Sequence, residues 1–172
     1  MPHADAAYNL ARWLIRDRHD AEDVVQNAML RAYRFLDSCR AETARQWVLR
    51  IVRNACYDWL NAKAAIPVAG FADLDPLDIE GHHFTADIFG GLLEDPESLL
   101  VKADERSLIN AMIAALPPEF REIIVLRELE ALSYKEIAEI AGIPVGTVMS
   151  RLSRGRGLLV KEWNRRNERS RQ

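Results

Sequence analysis

The 172-residue sequence is poor in the residues that disulfide frameworks and metal centres require. It contains two cysteines, Cys39 and Cys56, and four histidines. Two cysteines provide neither a disulfide framework nor metal-ligand spacing, and Cys56 falls within a helical pattern where a small core residue is expected. His82 and His83 lack further ligands at usable spacing. We therefore expect no metal ion and no cofactor, and the cysteine usage favours a reducing cytoplasm.

Long apolar runs are also missing. The apolar residues come in short periodic sets, and none of these sets is long enough to span a bilayer. The N-terminus lacks the basic start and apolar core of a secretory signal. We therefore expect a cytoplasmic protein with no membrane contact of its own.

Acidic residues slightly outnumber basic residues, 26 to 23, and the two signs are unevenly distributed along the chain. The net charge of −3 taken alone argues against a nucleic-acid-binding protein. Residues 62–97, however, hold eight acidic residues and one basic residue, whereas residues 144–172 hold eight basic and two acidic residues. The basic end is a candidate phosphate-binding surface. The acidic middle is also rich in glycine and proline, which predicts a linker.

Residues 133–163 predict two helices joined by a tight turn. Ser133 is a good N-cap, and Glu136 three residues later completes a capping box. Gly142 can adopt the left-handed conformation that ends a helix, and Pro144 prevents simple continuation. This pattern is typical of a helix-turn-helix whose second helix contacts DNA.

The second helix of this pair has one apolar face and one polar face. Val148, Leu152 and Leu159 form its predicted buried stripe. The opposite face carries small hydroxyl groups, one thioether and several guanidinium groups, which can contact base edges and phosphates. Its members are Thr147, Met149, Ser150, Arg151, Ser153, Arg154 and Arg156. From spacing alone, an ordinary helical hairpin with a solvated basic face remains an alternative.

The first 61 residues predict three amphipathic helices, over residues 5–17, 20–36 and 44–61. The second has an expected buried stripe that consists of Ala21, Val25, Ala28, Ala32 and Phe35. Two further helices are predicted over residues 97–116 and 119–130, beneath the helix-turn-helix, and the polar tail from Asn164 is expected to fray.

The C-terminal third closely resembles a known family. The segment LSYKEIAEIAGIPVGTVMSRLSRGRGLL is similar to the region-four helix-turn-helix of bacterial extracytoplasmic-function (ECF) sigma factors, and ALPPEFREIIVLRELEALS is similar to the helix pair preceding it. The resemblance implies that the seven polar-face residues named above contact the minus-thirty-five promoter element. It also implies that region four binds the flap of the second-largest polymerase subunit.

The N-terminal helices extend the resemblance. DAEDVVQNAMLRAYRFL followed by WVLRIVRNACYDWL is similar to region two of the same family. The resemblance implies that one set of residues contacts the clamp helices of the largest polymerase subunit: Asp20, Glu22, Asp23, Gln26, Asn27 and Arg31. It implies that a second set lies near the melted minus-ten element: Ser38, Arg40, Arg45, Trp47, Arg50, Arg53 and Asn54. Aromatic and arginine side chains suit base stacking and backbone contact, although a core role is the favoured interpretation for Trp47.

Several positions depart from the family pattern. Met149 stands where relatives usually carry Lys or Arg, and Ser153 takes a position that is often larger. Asn27 replaces a frequent Glu, and SCRAETAR differs from the common glycine-serine loop. A thioether cannot donate to guanine but can contact a thymine methyl group. We therefore expect these departures to shift the preferred promoter sequence.

The sequence as a whole predicts an all-α protein with two small helical domains: region two over residues 1–61 and region four over residues 98–172, joined by an acidic linker over residues 62–97. It is expected to bind core RNA polymerase and promoter DNA, to be no enzyme, and to have an anti-sigma partner. One alternative is a helix-turn-helix regulator that does not recruit polymerase, although residues 1–61 resemble neither a sensor nor a dimerisation module. Another is a metal phosphohydrolase using His19 and Asp20, for which further ligands on facing helices are missing.

Overall fold

The computed structural model describes residues 3–35, 43–63 and 99–169, and every regular element in these ranges is helical. The first group of helices comprises α1 (Ala4–Ile15), α2 (Arg18–Arg34) and α3 (Ala44–Lys63). The second comprises α4 (Leu99–Ala115), α5 (Pro118–Ile124), a π-helical turn (Val125–Leu129), α6 (Tyr134–Ala141) and α7 (Val145–Arg169). The predicted all-α fold class is confirmed. The predicted linker lies almost entirely outside the described residues.

Helices α1, α2 and α3 pack against one another as a three-helix bundle. In α1, Leu10 and Leu14 are fully buried at a spacing of one helical turn. In α3, Cys56 is also fully buried, as predicted. Burial raises the pKa of the Cys56 thiol to about 12, so this cysteine is an unreactive core residue.

The buried face of α2 differs from its predicted stripe. Ala21, Val24, Ala28 and Ala32 are buried, whereas Val25 is half-buried and Phe35 is 63% exposed. The prediction is therefore wrong for Phe35, whereas Val25 packs against the core but is only partly buried. Residues spaced by three and by four both lie on the same face of an α-helix, so Val24 rather than Val25 follows Ala21 on the buried face. Phe35 comes after the last residue of the helix and therefore does not follow this spacing.

In the second group, α7 packs closely across α5. A Cβ atom at Gly155 of α7 would lie only 3.2 Å from Cγ1 of Ile124 and 3.4 Å from Cβ of Phe120. Glycine at this position therefore permits the close approach of the two helices. This contact fixes α7 on the scaffold that precedes the helix-turn-helix.

Two features of the second group differ from the sequence predictions. The helix predicted over residues 119–130 ends in a π-helical turn, in which the N–H of Glu130 donates to the carbonyl of Val125 at 3.1 Å. Helix α7 continues to Arg169, so residues 164–169 of the tail that was predicted to fray are helical, and the last three residues lie outside the described residues. Glu162 forms ion pairs with Arg165 and Arg166, at spacings of three and four residues, and these pairs stabilise the last turns.

The two groups share one continuous core. Helix α1 contacts α5 and the π-helical turn, and α3 contacts α6. Polar side chains reinforce these contacts: Arg45, Gln46, Arg53 and Tyr57 of α3 bind carboxylates of the second group. The first bundle and the helix-turn-helix therefore lie side by side in this structure.

Candidate nucleic-acid interface

The turn between α6 and α7 has the predicted capping groups. The N–H of Glu136 donates to Oγ of Ser133 at 3.3 Å, and the N–H of Ser133 donates to Oε2 of Glu136 at 2.8 Å. Gly142 adopts a left-handed φ of 67°, and its N–H donates to the carbonyl of Ala138 at 2.9 Å. The predicted capping box and glycine C-cap are confirmed. They set the entry and exit of α6 and thereby direct the N-terminus of α7 outwards.

The outer face of α7 carries most of the residues that the sequence predicts for base and phosphate contact. Met149 is 53% exposed, and Ser150, Ser153 and Arg154 are exposed, while Thr147 and Arg151 are partly exposed. Val148, Leu152 and Leu159 are buried, which confirms the predicted stripe. Among the described residues, no acidic side chain pairs with Arg151 or Arg154. Their guanidinium groups are available to phosphates.

Arg156 differs from the other residues of that face. Its Nη2 lies 2.6 Å from Oε1 of Glu128, and the Arg156 side chain is only 29% exposed. Arg156 is therefore partly exposed, like Thr147 and Arg151, but its guanidinium group already has a partner within the protein. Arg156 lies two turns beyond Met149, where α7 passes the π-helical turn that carries Glu128. Its guanidinium group therefore forms an ion pair within the second group.

The predicted minus-ten residues fall into three sets. Ser38 and Arg40 lie outside the described residues, so their predicted role stays a prediction. Arg50 and Asn54 are exposed on α3, and Trp47 is half-buried against the core.

The remaining two, Arg45 and Arg53, contact the second group of helices. Nη2 of Arg45 lies 2.8 Å from Oε2 of Glu130, and Nε of Arg53 lies 2.6 Å from Oε1 of Glu122. Local sequence patterns do not indicate these pairs, because the partners of Arg45 and Arg53 lie 85 and 69 positions away along the chain, respectively.

Glu122 is the centre of a small buried network. Its side chain is fully buried and accepts hydrogen bonds from Arg53 and from the hydroxyl of Tyr57, the latter at 2.7 Å. The Arg53 guanidinium lies 4.2 Å from the centroid of the Tyr57 ring. Burial, together with the charge of Glu122, raises the pKa of Tyr57, so its hydroxyl remains a hydrogen-bond donor at neutral pH.

Helix α2 presents the candidate polymerase surface. Asp23, Gln26, Asn27 and Arg31 are exposed. The two other predicted contact residues already have partners, because Asp20 accepts from Lys63 at 3.0 Å and Glu22 accepts from Arg18 at 2.9 Å. These exposed pairs are weak, and they leave both carboxylates accessible to a protein partner.

An apolar patch beside these residues was missed by the sequence analysis. Leu30 and Tyr33 are more than 60% exposed at the C-terminal end of α2, next to the exposed Phe35. A groove of about 290 Å³ runs beside them and is lined by Val24, Asn27, Leu30, Arg31, Arg34, Ala55 and Asp58. The signal was present in the sequence, since positions 30 and 33 lie off the stripe of alanines that faces the core. Together with Gln26, Asn27 and Arg31, this patch gives α2 a mixed polar and apolar surface suited to a protein partner.

Other kinds of site find no support in the described part of the chain. Residues 3–35, 43–63 and 99–169 hold no group of three or more His, Cys, Asp and Glu residues that could bind a metal ion. No helix in the same ranges is long and apolar enough to cross a membrane.

Comparison with known proteins agrees with this arrangement. The family described as sigma-70 region 2 matches residues 1–66, and that described as sigma-70, region 4 matches residues 106–159. The ECF RNA polymerase sigma-E factor of Escherichia coli is 41% identical over 80% of this chain and 70% of its own length. The ECF RNA polymerase sigma factor SigE of Mycolicibacterium smegmatis is 34% identical over 90% of this chain and 56% of its own length.

A solved structure shows the same fold. It contains the sigma factor RpoE in complex with the anti-sigma factor NepR from Bartonella quintana, with a TM-score of 0.64 and 23% identity, over 92% of this chain and 90% of that one. Two groups of helices, one of which holds an outward-facing helix-turn-helix, define a sigma-70-type transcription initiation factor. The chain belongs to the ECF RNA polymerase sigma factors, which direct promoter-specific transcription initiation.

Proposed function

We propose that this sigma factor binds the minus-thirty-five element through the outer face of α7. The observation that carries the proposal is the exposure of Met149, Ser150, Ser153 and Arg154 on a helix whose opposite face is buried. Ser and Arg side chains contact base edges and phosphates, and the Met149 thioether suits a thymine methyl group. Arg156 contributes to this surface indirectly, because its ion pair with Glu128 anchors α7 to the π-helical turn.

Region two has two proposed tasks. The outer face of α2, with its exposed Gln26, Asn27 and Arg31, binds the clamp helices of the largest polymerase subunit. The start of α3 and the chain before it, from Ser38 to Asn54, binds the melted minus-ten strand. Exposed Arg50 and Asn54 support this assignment, because a basic side chain and an amide on one helix face can follow a single strand.

The remaining assignments follow from this role. Region two over residues 1–61 and region four over residues 98–172 are the two functional domains, with residues 62–97 as their linker. Region four also contacts the flap of the second-largest subunit, and an anti-sigma factor covers one or both domains. The proposed activity takes place in the cytoplasm on core polymerase, which performs the chemistry, so the protein itself is not an enzyme.

Core polymerase binding gives a sharp test of the α2 surface. A Gln26→Glu/Arg31→Glu double variant places two added carboxylates on exposed positions and leaves the core of α2 intact. We expect its affinity for core polymerase to fall at least tenfold in a titration, with unchanged helicity, since like charges across an interface are costly. The control is Glu168→Lys, an exposed charge change near the end of α7. Equal affinities of the double variant and the wild type would overturn the proposed polymerase surface.

A further inference from the structure

The N-terminal end of α7 carries two exposed apolar side chains on its outer face. Val145 is 42% exposed and Met149 is 53% exposed, and their spacing of four residues places them side by side on the helix. In the described part of the second group, the only other large apolar side chain of comparable exposure is Leu129, in the π-helical turn. The pair is therefore available to a binding partner.

A row of small and basic residues runs beside this pair. It consists of Gly146, Ser150 and Arg154, again at spacings of four residues. Gly146 lies in α7 without a left-handed φ, and no atom would lie within 4 Å of a Cβ at this position, so neither conformation nor packing requires glycine there. Glycine at a helix surface allows a ligand to approach the backbone closely. Arg151 and Arg154, which have no acidic partner among the described residues, make DNA the ligand that suits this surface.

The exposed side chains at this end of α7 offer no free hydrogen-bond donor to a base. Val145 and Met149 carry none, and the Ser150 hydroxyl donates to the carbonyl of Thr147 at 3.1 Å. A serine hydroxyl has a single hydrogen, so Ser150 faces a partner as an acceptor. In the major groove guanine presents two acceptors, whereas thymine presents a C5 methyl group beside one acceptor. The pair therefore suits a pyrimidine methyl group better than it suits guanine.

We propose that Val145 and Met149 form a methyl-binding pair, which contacts the C5 methyl groups of two pyrimidines in the minus-thirty-five element. Cβ atoms four residues apart on a helix are separated by about 5–6 Å, and successive bases of one strand rise by about 3.4 Å. The two methyl groups therefore belong to bases no more than two steps apart. The inference rests on the proposed function, because it assumes that α7 binds this element.

The proposal extends to 5-methylcytosine. This base carries its methyl group at the same ring position as thymine, and its amino group can donate to the Ser150 hydroxyl oxygen. At the two positions that the pair contacts, 5-methylcytosine is therefore bound more tightly than cytosine. Methylation of the promoter would strengthen recognition at these positions.

Uracil provides the sharpest probe, because it differs from thymine only by the missing methyl group. The complex of this protein with core polymerase is titrated with a promoter duplex whose minus-thirty-five element has been selected from a randomised pool. Each thymine of the element is then replaced by uracil in turn. We expect binding to weaken by about fourfold at each of two positions no more than two steps apart, which is the effect of one buried methyl group. At the same positions, 5-methylcytosine should bind about fourfold more tightly than cytosine, with guanine opposite both.

Alanine variants assign each methyl group to a side chain. Val145→Ala should bind the thymine and uracil duplexes equally at one of the two positions, and Met149→Ala should do so at the other. The matched control is Leu129→Ala, which truncates another exposed apolar side chain of the same group and should keep both sensitivities. Circular dichroism should show wild-type helicity for all three variants, because each position is exposed.

Equal binding of the thymine and uracil duplexes by the wild type at every position, or a selected element without thymine, would overturn the proposal. A sensitivity that depends on Met149 alone would remove Val145 from the pair and contradict the proposal in that respect. If both alanine variants bind every duplex as the wild type does, the two side chains contact a protein partner instead, and the proposal fails.

The same titrations separate this inference from the proposed function. Sequence-selective binding that is insensitive to uracil would overturn the methyl-binding pair alone. Failure of the polymerase complex to select any minus-thirty-five sequence would overturn the proposed function.

Discussion

Arg121 of α5 donates from Nη1 to the backbone carbonyl of Trp13 at the end of α1, at 2.9 Å. The same guanidinium group also donates to the carbonyls of Leu14 and Leu116. Carbonyls in the last turn of a helix have no partner within the helix, so an arginine from region four completes the C-terminus of a region-two helix. Burial lowers the pKa of Arg121 to about 10, and its side chain therefore remains charged at neutral pH.

Removal of the Arg121 guanidinium group will destabilise the protein. Arg121→Met keeps much of the side-chain volume but leaves three carbonyls without their donor, and we expect the free energy of unfolding to fall by about 1–3 kcal/mol. Chemical denaturation of the full chain measures the change. Arg18→Met is the control, because Arg18 is an exposed residue paired only on the surface, and its midpoint should stay that of the wild type. Equal midpoints for the two variants would contradict the role given to Arg121.

Met149 should determine base preference rather than stability. Its side chain is 53% exposed, while neighbouring Val148 is fully buried. Met149→Arg is therefore expected to alter the preferred base at one minus-thirty-five position by about 1–3 kcal/mol of discrimination, with an unchanged melting temperature. Val148→Arg, one residue away, should unfold the second group. Sequence selection from a randomised pool, paired with thermal melting, measures both effects; a large fall in the melting temperature of Met149→Arg would count against this role.

Arg154 and Arg156 should behave differently although both lie on α7. Arg154 is exposed and should bind phosphate, so Arg154→Ala is expected to reduce the magnitude of the salt slope of DNA binding by about 0.9. Arg156→Ala removes the partner of Glu128 and should mainly lower the melting temperature. Binding titrations at several salt concentrations and thermal melts distinguish the two. The assignment fails if Arg156→Ala alone changes the salt slope.

Because α7 packs closely on α5, a glycine-to-valine substitution should destabilise the protein at Gly155 but not at Gly146. Gly155→Val introduces a Cβ atom 3.2 Å from Ile124 together with two further methyl groups, which should reduce the free energy of unfolding by about 1–3 kcal/mol. A Cβ atom at Gly146 would have no packing neighbour within 4 Å, so Gly146→Val should change the free energy of unfolding by less than about 0.5 kcal/mol. Denaturation curves of the two variants provide the comparison. Similar curves would show that the helices can move apart without cost.

The local features of the fold could be predicted from the sequence. Ser133, Glu136 and Gly142 act through neighbours within five positions, so their residue types alone indicate the cap and the turn. The buried stripe of α7 follows from helical periodicity in the same way. Phe35 was misassigned, because periodicity alone does not show that the helix has ended at the preceding residue.

Long-range contacts account for what could not be predicted. Nothing near Arg53 or Arg156 in the sequence indicates Glu122 or Glu128 as a partner, because tertiary packing brings these pairs together. The π-helical turn was also missed, since its apolar residues follow a pattern compatible with an α-helix. The predicted DNA and polymerase contacts of individual residues stay predictions.

The most direct test of the whole account is transcription by reconstituted polymerase. Core RNA polymerase, with and without this protein, is supplied with a library of templates whose minus-thirty-five and minus-ten elements are randomised, and the transcripts are sequenced. The account predicts that the protein enriches transcripts from templates sharing one upstream and one downstream sequence, and that Met149→Arg changes the upstream sequence alone. Transcripts indistinguishable from those of core polymerase without the protein would contradict it.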